Sequence, residues 1–262
     1  MLLNTKKVSK KFDSERLVTD HIFTTSSKEY FHKNGLQLAM SLKQNSGKML
    51  TVYSEDNLSE YSEVINYFPL NQTKDLFEFR NSFRSSYGNK YHLLHYSLKM
   101  DIWAFKIFAQ KQFLEENPGT FSLFLDSDSV VLNSGFTQKL NQFVIPARNF
   151  DCGLFRRSEN FLHPETGFLT FCNSPNLEKS YLRMTDSILS GDFRNLPSWT
   201  DSSLIDREIL EGRISALDFC LFYDLRTDNP VYESKLRESF LHLKGNRKGI
   251  YRVGKRILGR YR

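Results

Sequence analysis

The chain has 262 residues, 40% hydrophobic and 25% charged, enough for one large α/β domain or two small ones with a packed core. It has no apolar run long enough for a membrane-spanning helix, and no secretory leader is expected in its polar first twenty residues. The formal charge of +6 is uneven: residues 244–262 hold eight Lys and Arg and no acid, which leaves −2 on the remainder and speaks against a basic surface over the whole molecule.

In chain order, residues 1–16 predict a flexible lead-in. His21-Ile22-Phe23-Thr24-Thr25 reads as a strand, Tyr30 to Leu42 has helical apolar spacing, and Met49 to Tyr53 reads as a second strand. Strand, helix and strand predict a parallel start with a right-handed crossover. Residues 54–90 are mixed and rich in Ser and Asn, with short helical pieces. Tyr91 to Phe113 is the longest helical pattern and ends at Asn117-Pro118-Gly119. An apolar strand with Phe121, Leu123 and Phe124 follows. Phe136 to Phe143 predicts a short helix, Cys152 to Arg157 a strand, and Glu165 to Phe171 a buried strand closed by Pro175. Leu177 to Leu189 and Asp201 to Leu210 predict helices, and Asp218 to Tyr223 a late strand. Cys152, Cys172 and Cys220 form no C-x-x-C pair and are expected as reduced thiols of a cytoplasmic protein.

The most informative stretch is Leu125-Asp126-Ser127-Asp128-Ser129-Val130-Val131-Leu132. Two carboxylates stand where the apolar strand ends, and open α/β sheets bind ligands outside the carboxyl ends of their strands. Side by side and unpaired, the two would repel. A divalent cation bridging to phosphate oxygens removes that conflict, so Asp126 and Asp128 point to metal-assisted nucleotide or phosphate chemistry.

Four patches extend this pattern. Phe124-Leu125-Asp126-Ser127-Asp128-Ser129-Val130 is similar to the apolar-D-x-D-x-apolar strand end of GT-A-type glycosyltransferases of the glycogenin and lipopolysaccharide galactosyltransferase group. His242-Leu243-Lys244-Gly245-Asn246-Arg247-Lys248 resembles that group's H-x-x-G-x-x-K, without the K-P-W ending. Lys99-Met100-Asp101-Ile102-Trp103 is similar to its K-L-x-x-W helix, at a longer distance from the D-x-D. Glu165-Thr166-Gly167-Phe168-Leu169 stands in place of its N-x-G-V-L strand, with Glu165 replacing an amide.

The resemblance implies a single GT-A-type (nucleotide-diphospho-sugar transferase) α/β domain over residues 17–249. It would have a mixed, mostly parallel central sheet flanked by helices, with residues 250–262 as a basic amphipathic tail. Asp126 would face the ribose and metal, Asp128 would ligate the metal, and His242 would supply a third ligand. That set suits Mn²⁺ better than Mg²⁺. Gly245 would let the backbone approach the diphosphate, and Lys248 would neutralise its charge as it departs. Lys99 would sit near the nucleotide or the D-x-D, and Trp103 in the core. Glu165 would bind sugar hydroxyls or take the acceptor's proton. Asp201 would cap its helix and stand as a second acidic group toward the donor sugar.

The expected donor is a nucleotide-sugar, by family habit a UDP-sugar. The acceptor is a hydroxyl of a glycan, lipid-linked glycan or protein, and both sugar and acceptor depend on residues 54–90 and 176–200. Ile250, Val253, Ile257, Leu258 and Tyr261 share one helical face amid Arg and Lys, which suits contact with an anionic membrane surface at the cytoplasmic side. Two alternatives compete. A haloacid-dehalogenase-type phosphatase would use Asp126 as nucleophile, but its motif belongs on a first strand and needs a late acidic pair. A nucleic-acid-binding protein would suit the basic tail, but no recognised nucleic-acid motif is present, so no nucleic acid is expected as partner.

Overall fold

The computed structural model describes residues 17–71, 73–156, 164–225 and 234–242. The expected lead-in 1–16, Gly245, Lys248 and the tail 250–262 lie outside the described residues.

Nine strands and eight α-helical segments follow one another among these residues. They begin with β1 (His21–Thr25), α1 (Lys28–Tyr30), a π turn (Phe31–Gly35), α2 (Leu36–Ser46), β2 (Leu50–Ser54), β3 (Ile65–Pro69) and α3 (Thr73–Tyr87). Then come α4 (Met100–Glu116), β4 (Phe121–Leu125), β5 (Ser129–Val131), α5 (Phe136–Val144), β6 (Cys152–Phe155) and β7 (Glu165–Cys172). The order closes with α6 (Pro175–Ser190), α7 (Asp201–Leu210), β8 (Ala216–Asp218), α8 (Phe219–Phe222) and β9 (Phe240–His242).

Seven strands form one sheet in the order β3-β2-β1-β4-β7-β6-β8, and β5 pairs with β9 in a second, two-stranded sheet. In the large sheet β7 runs against both neighbours, and the other four pairings are parallel. Helices cover both faces, and alternation along the strands sorts the side chains between them. Ile22 of β1 and Leu123 and Leu125 of β4 join Leu38 and Leu42 of α2 and Phe136 and Leu140 of α5. Phe23 and Phe124 turn the other way, toward Met100, Ala104, Ile107 and Phe113 of α4 and Tyr181 and Met184 of α6. Phe23 stacks on Phe113 with ring centroids 3.7 Å apart.

Several expectations are corrected. Residues 54–90 hold a full strand (β3) and the fifteen-residue α3, not only short helical pieces. β3 is an edge strand whose exposed residues give no clean alternation, which is why its pattern is weak. The long helix starts at Met100, because residues 88–98 are spent in two 3₁₀ turns. Pro175 does not close a strand: it occupies the first turn of α6, where its missing N–H is no loss. Asp218 to Tyr223 is not a strand, since Asp218 ends β8 and accepts from the Cys220 N–H to cap α8. The cap of α7 is likewise Thr200, whose hydroxyl accepts from the Ser203 N–H, and Asp201 is the first helical residue.

Strand order locates the crevice. The chain runs from β1 to β2 and β3 on one side, then returns to place β4 on the other side of β1. The carboxyl ends of β1 and β4 therefore diverge, which is where open α/β sheets take ligands.

Candidate active site

A cleft of about 920 Å³ opens at this point, a size suited to a nucleotide-sized ligand. Its floor is Thr25, Ser26 and Ser27 after β1, Glu55 and Asp56 after β2, and Asp126, Ser127 and Asp128 after β4. The reversed β7 presents its amino end at the same edge, so Glu165 and Thr166 also line the cleft. The stretches expected to select substrates do reach it: Glu55, Asp56 and Arg80 come from residues 54–90, and Ser198 and Thr200 from residues 176–200.

Register brings the distant histidine to the acidic pair. β9 runs against β5 with His242 opposite Ser129, the residue after Asp128. His242 Nε2 lies 3.2 Å from Asp128 Oδ1 and 3.4 Å from Asp126 Oδ2, and the three side chains offer ligand atoms within 4.8 Å of one another. His242 and Asp128 are 5% and 8% exposed. The Tyr30 hydroxyl donates to Asp128 Oδ2 at 3.3 Å. Gly167 leaves the room this needs: a β-carbon there would stand 2.2 Å from His242 Cε1 and 2.5 Å from Asp126 Oδ2. Two carboxylates and an imidazole, closely gathered and mostly buried, suit a divalent cation.

The other side of Asp126 meets a lysine. Lys106 Nζ lies 2.9 Å from Asp126 Oδ1 and 2.9 Å from Asp201 Oδ2. Burial alone would lower the Lys106 pKa, but attraction to Asp126 and Asp201 outweighs it and holds the ammonium charged well above its usual range. The same ammonium lies 4.9 Å over the Phe124 ring, and Asp201 is fully buried. Glu165, 5% exposed, accepts from the Gly167 N–H at 2.9 Å, which turns one oxygen of its carboxylate toward its own strand.

Lys99 is not on the helix. It precedes the first turn of α4, and its ammonium lies 4.8 Å over the Tyr91 ring. The lysine beside Asp126 is Lys106, two turns further on and unremarked by sequence reasoning. Its signal was a cation one helical turn after Ile102 and Trp103, seven residues after Lys99. Trp103, expected in the core, is half-buried: it packs against the core cluster of α4 and also lines the cleft, where its ring meets Tyr96 edge-on at 4.8 Å. Tyr96, 55% exposed, lines the same cleft as Asp126.

No protein-family model and no curated protein matches the sequence. Solved structures do. The glycosyltransferase GlyE of Streptococcus pneumoniae TIGR4 matches over 86% of this chain with a TM-score of 0.52 at 12% identity. The chain spans 55% of the length of that protein. A glycosyltransferase involved in glycosylation of the major capsid of PBCV-1 matches over 88% of this chain and 99% of its own, with a TM-score of 0.46 and 16% identity. The galactosyltransferase LgtC matches over 76% of this chain and 72% of its own, with a TM-score of 0.47 and 11% identity. The seven-stranded mixed sheet, its helical layers and the likeness to GlyE together mark this chain as having the GT-A-type glycosyltransferase fold.

Proposed function

We propose that the protein is a metal-dependent glycosyltransferase that moves a sugar from a nucleotide diphosphate, a UDP-sugar by family habit, to a hydroxyl acceptor. The observation that carries this reading is the gathering of Asp126, Asp128 and His242 at the end of β4, in the crevice where the strand order reverses. The domain would be residues 17–249, and the setting cytoplasmic. No helix among the described residues is long and apolar enough to cross a membrane.

In this reading Asp126, Asp128 and His242 hold a divalent cation, Mn²⁺ or Mg²⁺. When bound, that cation supplies positive charge to the diphosphate. Thr25, Ser26, Glu55 and Asp56 offer the nucleoside hydroxyl and carboxylate groups at the ends of β1 and β2. Glu165 and Asp201 are assigned to the sugar side, to bind sugar hydroxyls or take the acceptor's proton. Asp201 is sheltered behind Lys106, and Glu165 lines the cleft directly, so Glu165 is the nearer of the two to an incoming ligand. Gly245 and Lys248 are assigned to the diphosphate, where added positive charge assists departure. Tyr96, Ile102 and Trp103 line the cleft, and closure over bound substrate would exclude water, since hydrolysis of the donor competes with transfer. The acceptor would be a glycan, lipid-linked glycan or protein, and residues 250–262 would dock on an anionic membrane surface.

The phosphatase alternative calls for a late acidic pair at the motif. Among the described residues His242 lies beside both aspartates, and Asp201 reaches Asp126 through Lys106. Thermal unfolding with UDP, GDP or CDP, each with and without Mn²⁺, tests the proposal. A ligand at about 100 times its dissociation constant stabilises a fold by roughly 2.7 kcal/mol, a rise of about 5 °C or more at this size. The proposal expects a shift that needs both one nucleotide and Mn²⁺ and is lost in Asp128→Ala. No shift with any nucleotide, together with turnover of a generic phosphate ester, overturns it.

A further inference from the structure

Lys106 has no assigned role, yet it stands between the two acidic parts of the cleft. Its side chain leaves the second turn of α4, passes over the Phe124 ring, and ends with only 6% of the residue exposed. A lysine has three N–H donors and no acceptor. Here three oxygens surround the nitrogen: Asp126 Oδ1 at 2.9 Å, Asp201 Oδ2 at 2.9 Å and Thr166 Oγ1 at 3.3 Å. The donors are committed to protein groups, which leaves none to offer a diphosphate oxygen.

The commitment also decides how Asp126 is turned. Oδ1 faces Lys106 while Oδ2 faces His242, so α4 on one side and β9 on the other both act on the plane of the carboxylate. Thr166 is steadied in turn by the Ser202 hydroxyl at 3.1 Å, which links this arrangement to the first turn of α7.

We infer that Lys106 is a positioning residue: it orients Asp126 toward Asp128 and His242, ties that carboxylate to Asp201, and makes no direct contact with the nucleotide diphosphate. The inference rests on the reading of Asp126, Asp128 and His242 as cation ligands. It has a consequence of unusual sign. A buried positive charge beside a cation site opposes a second cation by simple Coulomb repulsion, so removing it should tighten metal binding. A group that orients a ligating carboxylate acts in the other direction, and its loss weakens metal binding by about 10- to 100-fold.

The test is calorimetric titration with Mn²⁺ alone, without nucleotide, on the full chain. Wild type and Asp128→Ala establish the site. Lys106→Met is expected to bind Mn²⁺ at least about tenfold more weakly. Lys106→Arg, which keeps a cation between the two carboxylates, should recover most of the loss. The double variant Lys106→Met/Asp201→Asn removes the buried pair together and carries the test if the single variant fails to fold. It should remain weak, because the contact from α4 to Asp126 Oδ1 is then gone. Unchanged or tighter Mn²⁺ binding in the folded methionine variants overturns the positioning role and leaves the cation site standing. Absence of Mn²⁺ binding in the wild type, or binding indifferent to Asp128→Ala, overturns the site reading and this inference with it.

Discussion

Gly167 shows how little tolerance the centre has. Two side chains from different elements, His242 and Asp126, occupy the volume a β-carbon would need. Gly167→Ala is expected to keep the fold, since the displaced atoms are side-chain ends, but to push the imidazole and carboxylate apart. A misplacement on the order of 1 Å costs about 100-fold in catalysis, so transfer should fall by that order. The Mn²⁺-dependent nucleotide shift in melting temperature that the proposed function expects should be lost in the same variant, measured beside an unchanged circular dichroism spectrum. Thr200 makes a second prediction at this scale. Its hydroxyl caps α7 next to Asp201, so Thr200→Ala should lower stability by about 1 kcal/mol in chemical denaturation. Asp126 and Asp128 were legible in the sequence because a D-x-D at the end of an apolar run is a local pattern. Lys106 was not, because which lysine reaches Asp126 depends on where α4 begins. With the helix starting at Met100, Lys99 stays before its first turn, over the Tyr91 ring, and Lys106 lies about 10 Å further along the axis, over β4.

At the scale of elements, buried carboxylates act as pins. Asp101 is fully buried at the start of α4, with Arg84 Nε of α3 at 2.7 Å and the Tyr91 hydroxyl at 2.7 and 2.9 Å. It therefore holds α3 and the 3₁₀ stretch that carries Tyr96 into the cleft wall. Asp101→Ala should cost about 2 kcal/mol, the scale of hydrogen bonds to a charged group, because Arg84 stays half in water and can be resolvated. Hydrogen exchange over residues 88–98 should quicken in that variant, and an unchanged rate there would refute the pin. Asp151 plays a similar part between α6 and β8. Burial alone would raise its pKa, but donors from Ser174 and Ser215 outweigh it and hold the carboxyl below its usual range. A carboxyl with a lowered folded pKa adds stability above its unfolded pKa and loses it as pH falls through the folded value. Asp151→Asn should thus flatten the loss of stability below about pH 4, followed by urea denaturation at stepped pH. The short strands β5 and β9 had no readable pattern, since three residues carry no period. Their pairing alone brings residue 242 beside residue 128.

For the whole molecule, the sheet is buried on both faces and all of the described cysteines are free. Burial pushes the thiols of Cys152 and Cys220 up to about 12 and raises that of half-buried Cys172 as well. A thiol-reactive disulfide reagent at pH 8 should therefore label Cys152 and Cys220 only at the rate of unfolding, and fast labelling of either in the native protein would contradict this packing. The alternation of strands and helices, the acidic strand end and the charged last nineteen residues could be read from the chain, because each depends on neighbours a few residues apart. The reversal of β7 could not. Its residues are buried on both sides, so the run has no period, and an apolar run reads the same in either direction. That reversal places Glu165, Thr166 and Gly167 at the edge where β4 delivers Asp126, and the β5–β9 register adds His242. Helix phase adds Lys106. Strand direction, register and helix phase are set by packing between residues far apart in the chain, so the chemistry of the cleft belongs to the folded molecule even where its residues are legible one by one.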